Sequence, residues 1–236
     1  MTTAFARGLR AEMAAGADPQ RAVGMQRYMK STMPYYGLYS AAMRAACKKV
    51  FAAHPFTSCS DWQAAVLELW RDARYREERY AAIELVYQGA PCARPALKRH
   101  RGCWSPALMP VLEEMIVTGA WWDYVDGLAR VVGELLRSHP KQMRPLMRRW
   151  SRDPDLWKRR VSIICQLSFK RDTDLDLLYG NIEPNLSDRD FFIRKAVGWA
   201  LRQYAWTDPK EVRRYVREHE KELSGLSRRE ALKNIG

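Results

Sequence analysis

The chain has 236 residues, 47% hydrophobic and 28% charged, enough to bury a core and too mixed for a disordered tail or a membrane protein. Lys and Arg outnumber Asp and Glu by 40 to 27, a formal charge of +13. That surplus predicts a polyanionic partner, because each phosphate neutralised on binding releases condensed counterions.

Helical periodicity runs from end to end, with no run of strand-like alternation. The predicted helices are 3–15, 19–31, 39–53, 60–71, 74–88, 105–118, 121–137, 141–152, 154–169, 174–180, 189–205, 208–222 and 227–235. Asp18-Pro19, Ser105-Pro106, Asp153-Pro154 and Asp208-Pro209 each pair an N-cap residue with proline at the first helical position. Glu222-Leu223-Ser224-Gly225 reads as a helix end, and Gly89 to Trp104, rich in Pro, Arg and Cys, as a long loop. From Ser105 to Asp208 paired helices recur at about 30–45 residues, the period of stacked helical repeats. An irregular all-α bundle is the alternative.

No stretch reaches the roughly 20 apolar residues of a membrane span, and Met1 to Arg7 holds no apolar signal region. Cys47, Cys59, Cys92, Cys103 and Cys165 form no C-x-x-C pair. Neither a disulfide framework nor a zinc ribbon is therefore expected, and a cytoplasmic protein is.

The charge is regional. Lys141 to Arg171 holds ten cations and two aspartates, and Arg94 to Arg101 adds Arg94, Lys98, Arg99 and Arg101. Asp208 to Gly236, with eight cations and six anions, reads as a balanced face. No basic segment carries an opposing Trp/Phe/Leu face, so nucleic acid is favoured over a membrane surface.

Three constellations could carry chemistry. In Trp121-Trp122-Asp123-Tyr124-Val125-Asp126, Trp122 and Asp126 are four apart and share a helix face beside a core stripe of Val125, Leu128, Val132 and Leu135. A packing role for Trp122 and an Asp126–Arg130 pair is the plainer alternative. In Phe191 to Tyr204, Lys195, Trp199 and Arg202 stack cation, aromatic and cation on one face, and Gly198 leaves backbone bare for another chain or a ligand. In Trp157-Lys158-Arg159-Arg160, Arg160 sits on the rim of the apolar stripe, where its guanidinium could meet a phosphate, while Lys158 and Arg159 read as solvated charges.

Familiar chemistries are missing. There is no Gly-rich phosphate loop, no G-x-S-x-G elbow and no cysteine nucleophile motif. His54, His100, His139 and His219 stand apart, without metal-ligand spacing. No metal or cofactor is expected, and any catalysis falls to a carboxylate.

At these residues the chain resembles the alkylpurine DNA glycosylases of the AlkD type. The resemblance rests on Arg27-Tyr28-Met29-Lys30, Glu68-Leu69-Trp70, Glu113 to Asp126, Arg160 to Leu167, Phe191 to Tyr204 and Leu226 to Ala231. It implies an all-α fold of HEAT-like helical repeats, stacked into a curved α-solenoid with a concave basic DNA-binding face. Residues 1–236 would form one domain, acting as a monomer on double-stranded DNA that contains alkylated purines. Asp126 would be the catalytic carboxylate, and Trp122 and Trp199 the aromatics that cradle the lesion. Tyr28, Arg160, Lys195 and Arg202 would contact DNA, with Lys170 and Arg171 close behind Ser168, where a lysine is expected. The implied reaction hydrolyses the N-glycosidic bond of N3- or N7-alkylpurines without base flipping, with bulky natural-product adducts within range. A non-catalytic DNA-binding paralogue or a protein-interaction scaffold is the rival. Retention of Trp122, Asp126, Arg160 and Trp199 together argues against both.

Overall fold

The structure, a computed structural model, describes residues 3–88 and 103–235. Arg94, Lys98, Arg99, Arg101, His100 and Cys92, and so most of the predicted Gly89–Trp104 loop, lie outside the described residues. The fold is all-α, of the α-solenoid kind, and no strand occurs among the described residues.

Among the described residues thirteen α-helices follow in order: α1 Ala4–Ala15, α2 Pro19–Met29, α3 Ser40–Ala53, α4 Cys59–Arg71, α5 Arg76–Gln88, α6 Met109–Gly119, α7 Trp122–Ser138, α8 Pro140–Trp150, α9 Leu156–Ile164, α10 Leu175–Ile182, α11 Phe191–Ala205, α12 Pro209–Glu218 and α13 Gly225–Leu232. Their boundaries follow the expected local chemistry in most places. Asp18 and Asp208 cap α2 and α12 as predicted, accepting from the backbone N–H of Arg21 and Glu211.

Three local expectations need correcting. Asp155, not Asp153, caps α9, taking the N–H groups of Trp157 and Lys158, while Asp153 accepts from the Asp155 N–H. The predicted helix to 169 stops at Ile164, because Gln166 turns its amide onto the backbone of Asp174, donating to its carbonyl and accepting its N–H. Ser224-Gly225 opens α13 instead of closing α12, Ser224 accepting the Ser227 N–H.

The chain divides into two compact units, Met1–Val111 and Leu112–Gly236. In the first, α1, α3, α4 and α5 pack together around Leu9, Met13, Trp62, Leu69 and Trp70, all buried. The loop after α2 depends on Glu77, whose buried carboxylate accepts the N–H groups of Tyr36, Gly37 and Leu38 at 3.0, 2.8 and 3.1 Å. Gly37 has a φ of 86°, and a Cβ there would collide with the Asp18 and Ala22 backbone. Through this loop the start of α2 is fixed, the Asp18 N–H donating to the Tyr36 carbonyl at 2.8 Å and Arg21 to the Gly37 carbonyl at 2.6 Å.

Cys59 and Cys103 form a disulfide, contrary to the expectation from cysteine spacing. The spacing misled because the partners are 44 residues apart and are brought together by the packing around α4 and α5. The cysteine argument for a cytoplasmic protein falls with it. Cys47 and Cys165 are free and buried. No helix among the described residues is long and apolar enough to cross a membrane.

In the second unit the helices alternate between two layers. Helices α7, α9, α11 and α13 pack in succession, each on the next, while α8 packs on α7, α9 and α10, and α12 on α11 and α13. Apolar burial carries this arrangement. Val125, Leu128, Val132 and Leu135 of α7 are fully buried, at roughly 1.5–3 kcal/mol each against 0–1 for an exposed ion pair. Gly133 lets the Cys165 carbonyl approach α7 where any Cβ would clash, and so brings α9 close.

Candidate active site

Asp126 lies one turn into α7, on the face shared with Trp122 and beside the buried stripe. Its carboxylate is held from α9. Arg160 donates from Nε to one oxygen at 2.7 Å and from an NH2 nitrogen to the other at 2.8 Å, a bidentate pair. The remaining terminal nitrogen donates to the Phe192 carbonyl in the first turn of α11 at 2.6 Å. One guanidinium therefore joins α7, α9 and α11, three successive helices of one layer. The Asp126 side chain keeps 16% of its exposure and that of Arg160 only 5%.

Burial pushes the Asp126 carboxyl above its ordinary range; the Arg160 hydrogen bonds and charge pull it partly back, and Asp123 pushes it up. The result is a desolvated, oriented carboxylate whose ionisation depends on its arginine.

The neighbouring aromatics separate into two groups. Trp121, Trp157 and Phe192 cluster, with centroids 5.6 Å apart for Trp121–Phe192 and 5.1 Å for Trp157–Phe192, walling the α9–α11 end of the pair. Trp122 and Trp199 are half-buried and make no ring contact or hydrogen bond among the described residues. Their indoles are uncommitted inside the protein.

The structure gives several predicted residues other duties. Arg160 is buried and gives three of its N–H groups to Asp126 and the Phe192 carbonyl. The plainer pairing of Asp126 with Arg130 is replaced by this one. Lys195 and Arg202 both bind Glu230 of α13, at 2.8 and 2.5 Å. The Glu230 carboxyl is held below its usual range by the Lys195 hydrogen bond, against some desolvation, with Arg202 and Lys233 adding to the lowering.

Gly198 serves the same contact. A methyl there would stand 2.5 Å from Glu230 Cβ and 2.9 Å from the Ser227 carbonyl oxygen, so its bare backbone admits α13 of this chain and no ligand. Lys158 and Arg159 are not solvated charges: Lys158 pairs with Glu113 and Asp153, and Arg159 with Asp188. Lys170 and Arg171 are exposed in a short 3-10 turn, and Ser168 is exposed beside them. Tyr28, on α2 of the first unit, is 77% exposed.

Sequence reasoning missed Glu230 and the Phe192 carbonyl. Glu230 lies inside the recognised Leu226–Ala231 segment, but nothing in a linear sequence says which cations a carboxylate will meet. A backbone carbonyl leaves no residue-type signal at all.

A family model described as DNA alkylation repair enzyme matches residues 9–235. The chain belongs to this family. Among solved structures it is similar to one described as "Predicted DNA alkylation repair enzyme from Enterococcus faecalis", at 27% identity and a TM-score of 0.77, over 93% of this chain and 97% of that one. No curated protein sequence matches. Membership in a DNA alkylation repair family assigns this chain to alkylation-damage repair, with DNA as what it works on.

Proposed function

We propose that this chain is a monofunctional DNA glycosylase that hydrolyses the N-glycosidic bond of cationic N3- and N7-alkylpurines in duplex DNA. The observation that carries the reading is the Asp126 carboxylate, partly buried, held bidentately by Arg160, and sharing its face of α7 with an uncommitted indole. An alkylated purine is already a good leaving group, so no strong general acid is needed. As the bond breaks, positive charge develops on the deoxyribose. A desolvated carboxylate opposite that charge stabilises it and can orient the attacking water.

The half-buried faces of Trp122 and Trp199 would add cation–π stabilisation of roughly 0.5–2 kcal/mol each. Arg160 acts here as a positioning residue for Asp126, while Tyr28, Lys170 and Arg171 are exposed enough to meet DNA. Lys195 and Arg202 contribute by shaping the α11–α13 junction, and their remaining donors would serve the backbone phosphates. No base need enter a closed pocket, which leaves bulky N3 or N7 adducts within range, and a monomer suffices.

Asp126–Arg160 also has the geometry of a purely structural ion pair, and one experiment separates the two. Duplex DNA carrying methylated purines is incubated with the protein and with Asp126→Asn, and released bases are identified by mass. The parent should release free alkylpurine and leave abasic sites, and the variant should bind the duplex but release little. Excision by the variant at the parental rate, or no release by the parent, would overturn the proposal.

A further inference from the structure

The terminal helix pair carries a groove that the Asp126 chemistry does not use. It lies between α12 and α13 and has a volume of about 690 Å3. At about 100° per residue, the side of α13 that meets α11 bears Ser227, Glu230 and Ala231, and the groove opens on the other side. Its floor is apolar, formed by Val216 of α12 and Leu232 of α13. Both walls are cationic: α12 presents Arg213 and Arg217, and α13 presents Arg228 and Arg229, with Lys233 just past its end. Among the described residues the one carboxylate that lines it, Glu220, is already engaged by Arg228 at 3.0 Å. Arg217 and Arg229 are exposed and make no ion pair among the described residues.

The balanced charge of the last segment thus hides a segregation. The anions Glu211 and Glu218 are taken up by Arg214 on another face of α12, and Glu230 by α11. With Arg228 held by Glu220, Arg213, Arg217, Arg229 and Lys233 are left around one apolar trough.

We propose that this groove is a docking site for an acidic peptide segment of a protein partner, one bulky apolar side chain seated on Val216 and Leu232 and flanking carboxylates held by Arg217 and Arg229. The volume lies within the range of ordinary ligand pockets. An apolar floor with a cationic rim is complementary to that chemistry. Duplex DNA offers phosphates to the rim but nothing that reaches and covers the floor, so a purely electrostatic nucleic-acid surface leaves half of the groove unexplained. Arginine walls suit carboxylates in particular, because each guanidinium can take one bidentately.

The test uses the whole protein and a fluorescein-labelled peptide with four aspartates around a single phenylalanine. Its Phe→Ala counterpart and a short duplex of matched charge serve as comparisons. Anisotropy should show saturable binding of the first peptide, weakened at least about tenfold by Phe→Ala in the peptide. It should be weakened comparably by the protein double variant Arg217→Glu/Arg229→Glu, and by Leu232→Lys, which blocks the floor without removing a rim cation. Base release at saturating protein should stay at parental levels in both variants, and duplex affinity should stay parental in Leu232→Lys, which removes no cation. Equal binding of the two peptides, no binding of either, or loss of duplex affinity in Leu232→Lys would overturn the proposal, the last assigning the groove to nucleic acid.

Discussion

Asp126 concentrates the chemistry because two opposing effects meet on it. Burial raises the carboxyl and Arg160 lowers it, with burial the larger. The proposed chemistry needs the ionised form, which exists above the raised value and is lost as pH falls through it. Excision should therefore fail on the acid side at a higher pH than an ordinary aspartate would give, as a pH–rate profile under single-turnover conditions would show. Arg160→Ala removes the lowering influence, so the acid limb should move to higher pH still. The same variant leaves a buried carboxylate unpaired and should cost about 3–5 kcal/mol of stability, read by denaturant unfolding. Arg160→Lys keeps the charge but not the fork, and should recover part of the stability while leaving the reaction slow. An unmoved acid limb in Arg160→Ala would show that the pair does not control the carboxylate.

At the scale of elements, the α11–α13 junction depends on a missing side chain. Gly198 sits under Glu230 and the Ser227 backbone, and Ser227 Oγ donates to the Arg194 carbonyl at 3.0 Å. Gly198→Ala should thus destabilise by about 1–3 kcal/mol through overpacking, although alanine is the better helix former. Thermal unfolding checks the sign: stabilisation would mean that α13 yields freely. In the first unit the Cys59–Cys103 disulfide closes a loop with a sequence separation of 44. The chain-entropy model gives about 4 kcal/mol for a loop of that size. Cys103→Ser should lower the melting temperature of the oxidised protein. If counting thiols in the unfolded, unreduced protein finds all five cysteines free, no such bridge forms.

At the scale of the whole molecule, the +13 charge governs encounter with DNA more than the chemistry that follows. Affinity for duplex should fall steeply with salt and vary little with sequence, since phosphate contacts carry no base information. Exposure decides which cations contribute. Lys170→Ala and Arg171→Ala should each flatten the salt slope by about one, whereas Arg160→Ala should leave it unchanged because that guanidinium is spent inside the protein. Fluorescence titrations across a salt series distinguish these, and a flattened slope in Arg160→Ala would return that residue to the DNA.

The sequence by itself determined the helices, because local chemistry specifies them: periodic apolar residues, aspartate caps and N1 prolines act within a turn or two of the residues they organise. It also held the pairing of Trp122 with Asp126 on one face, which follows from helical spacing alone. Only the tertiary structure decided who meets whom across helices. Arg160 turned inward to Asp126, Lys195 and Arg202 shared Glu230, Gly198 admitted α13, and Cys59 found Cys103. A formal charge count also could not show that the balanced last segment sorts its cations onto one groove. The physical reason is the same throughout. Turn and cap energies depend on neighbours along the chain, whereas ion pairs, close backbone approaches and disulfides depend on distances set by packing between elements far apart in sequence.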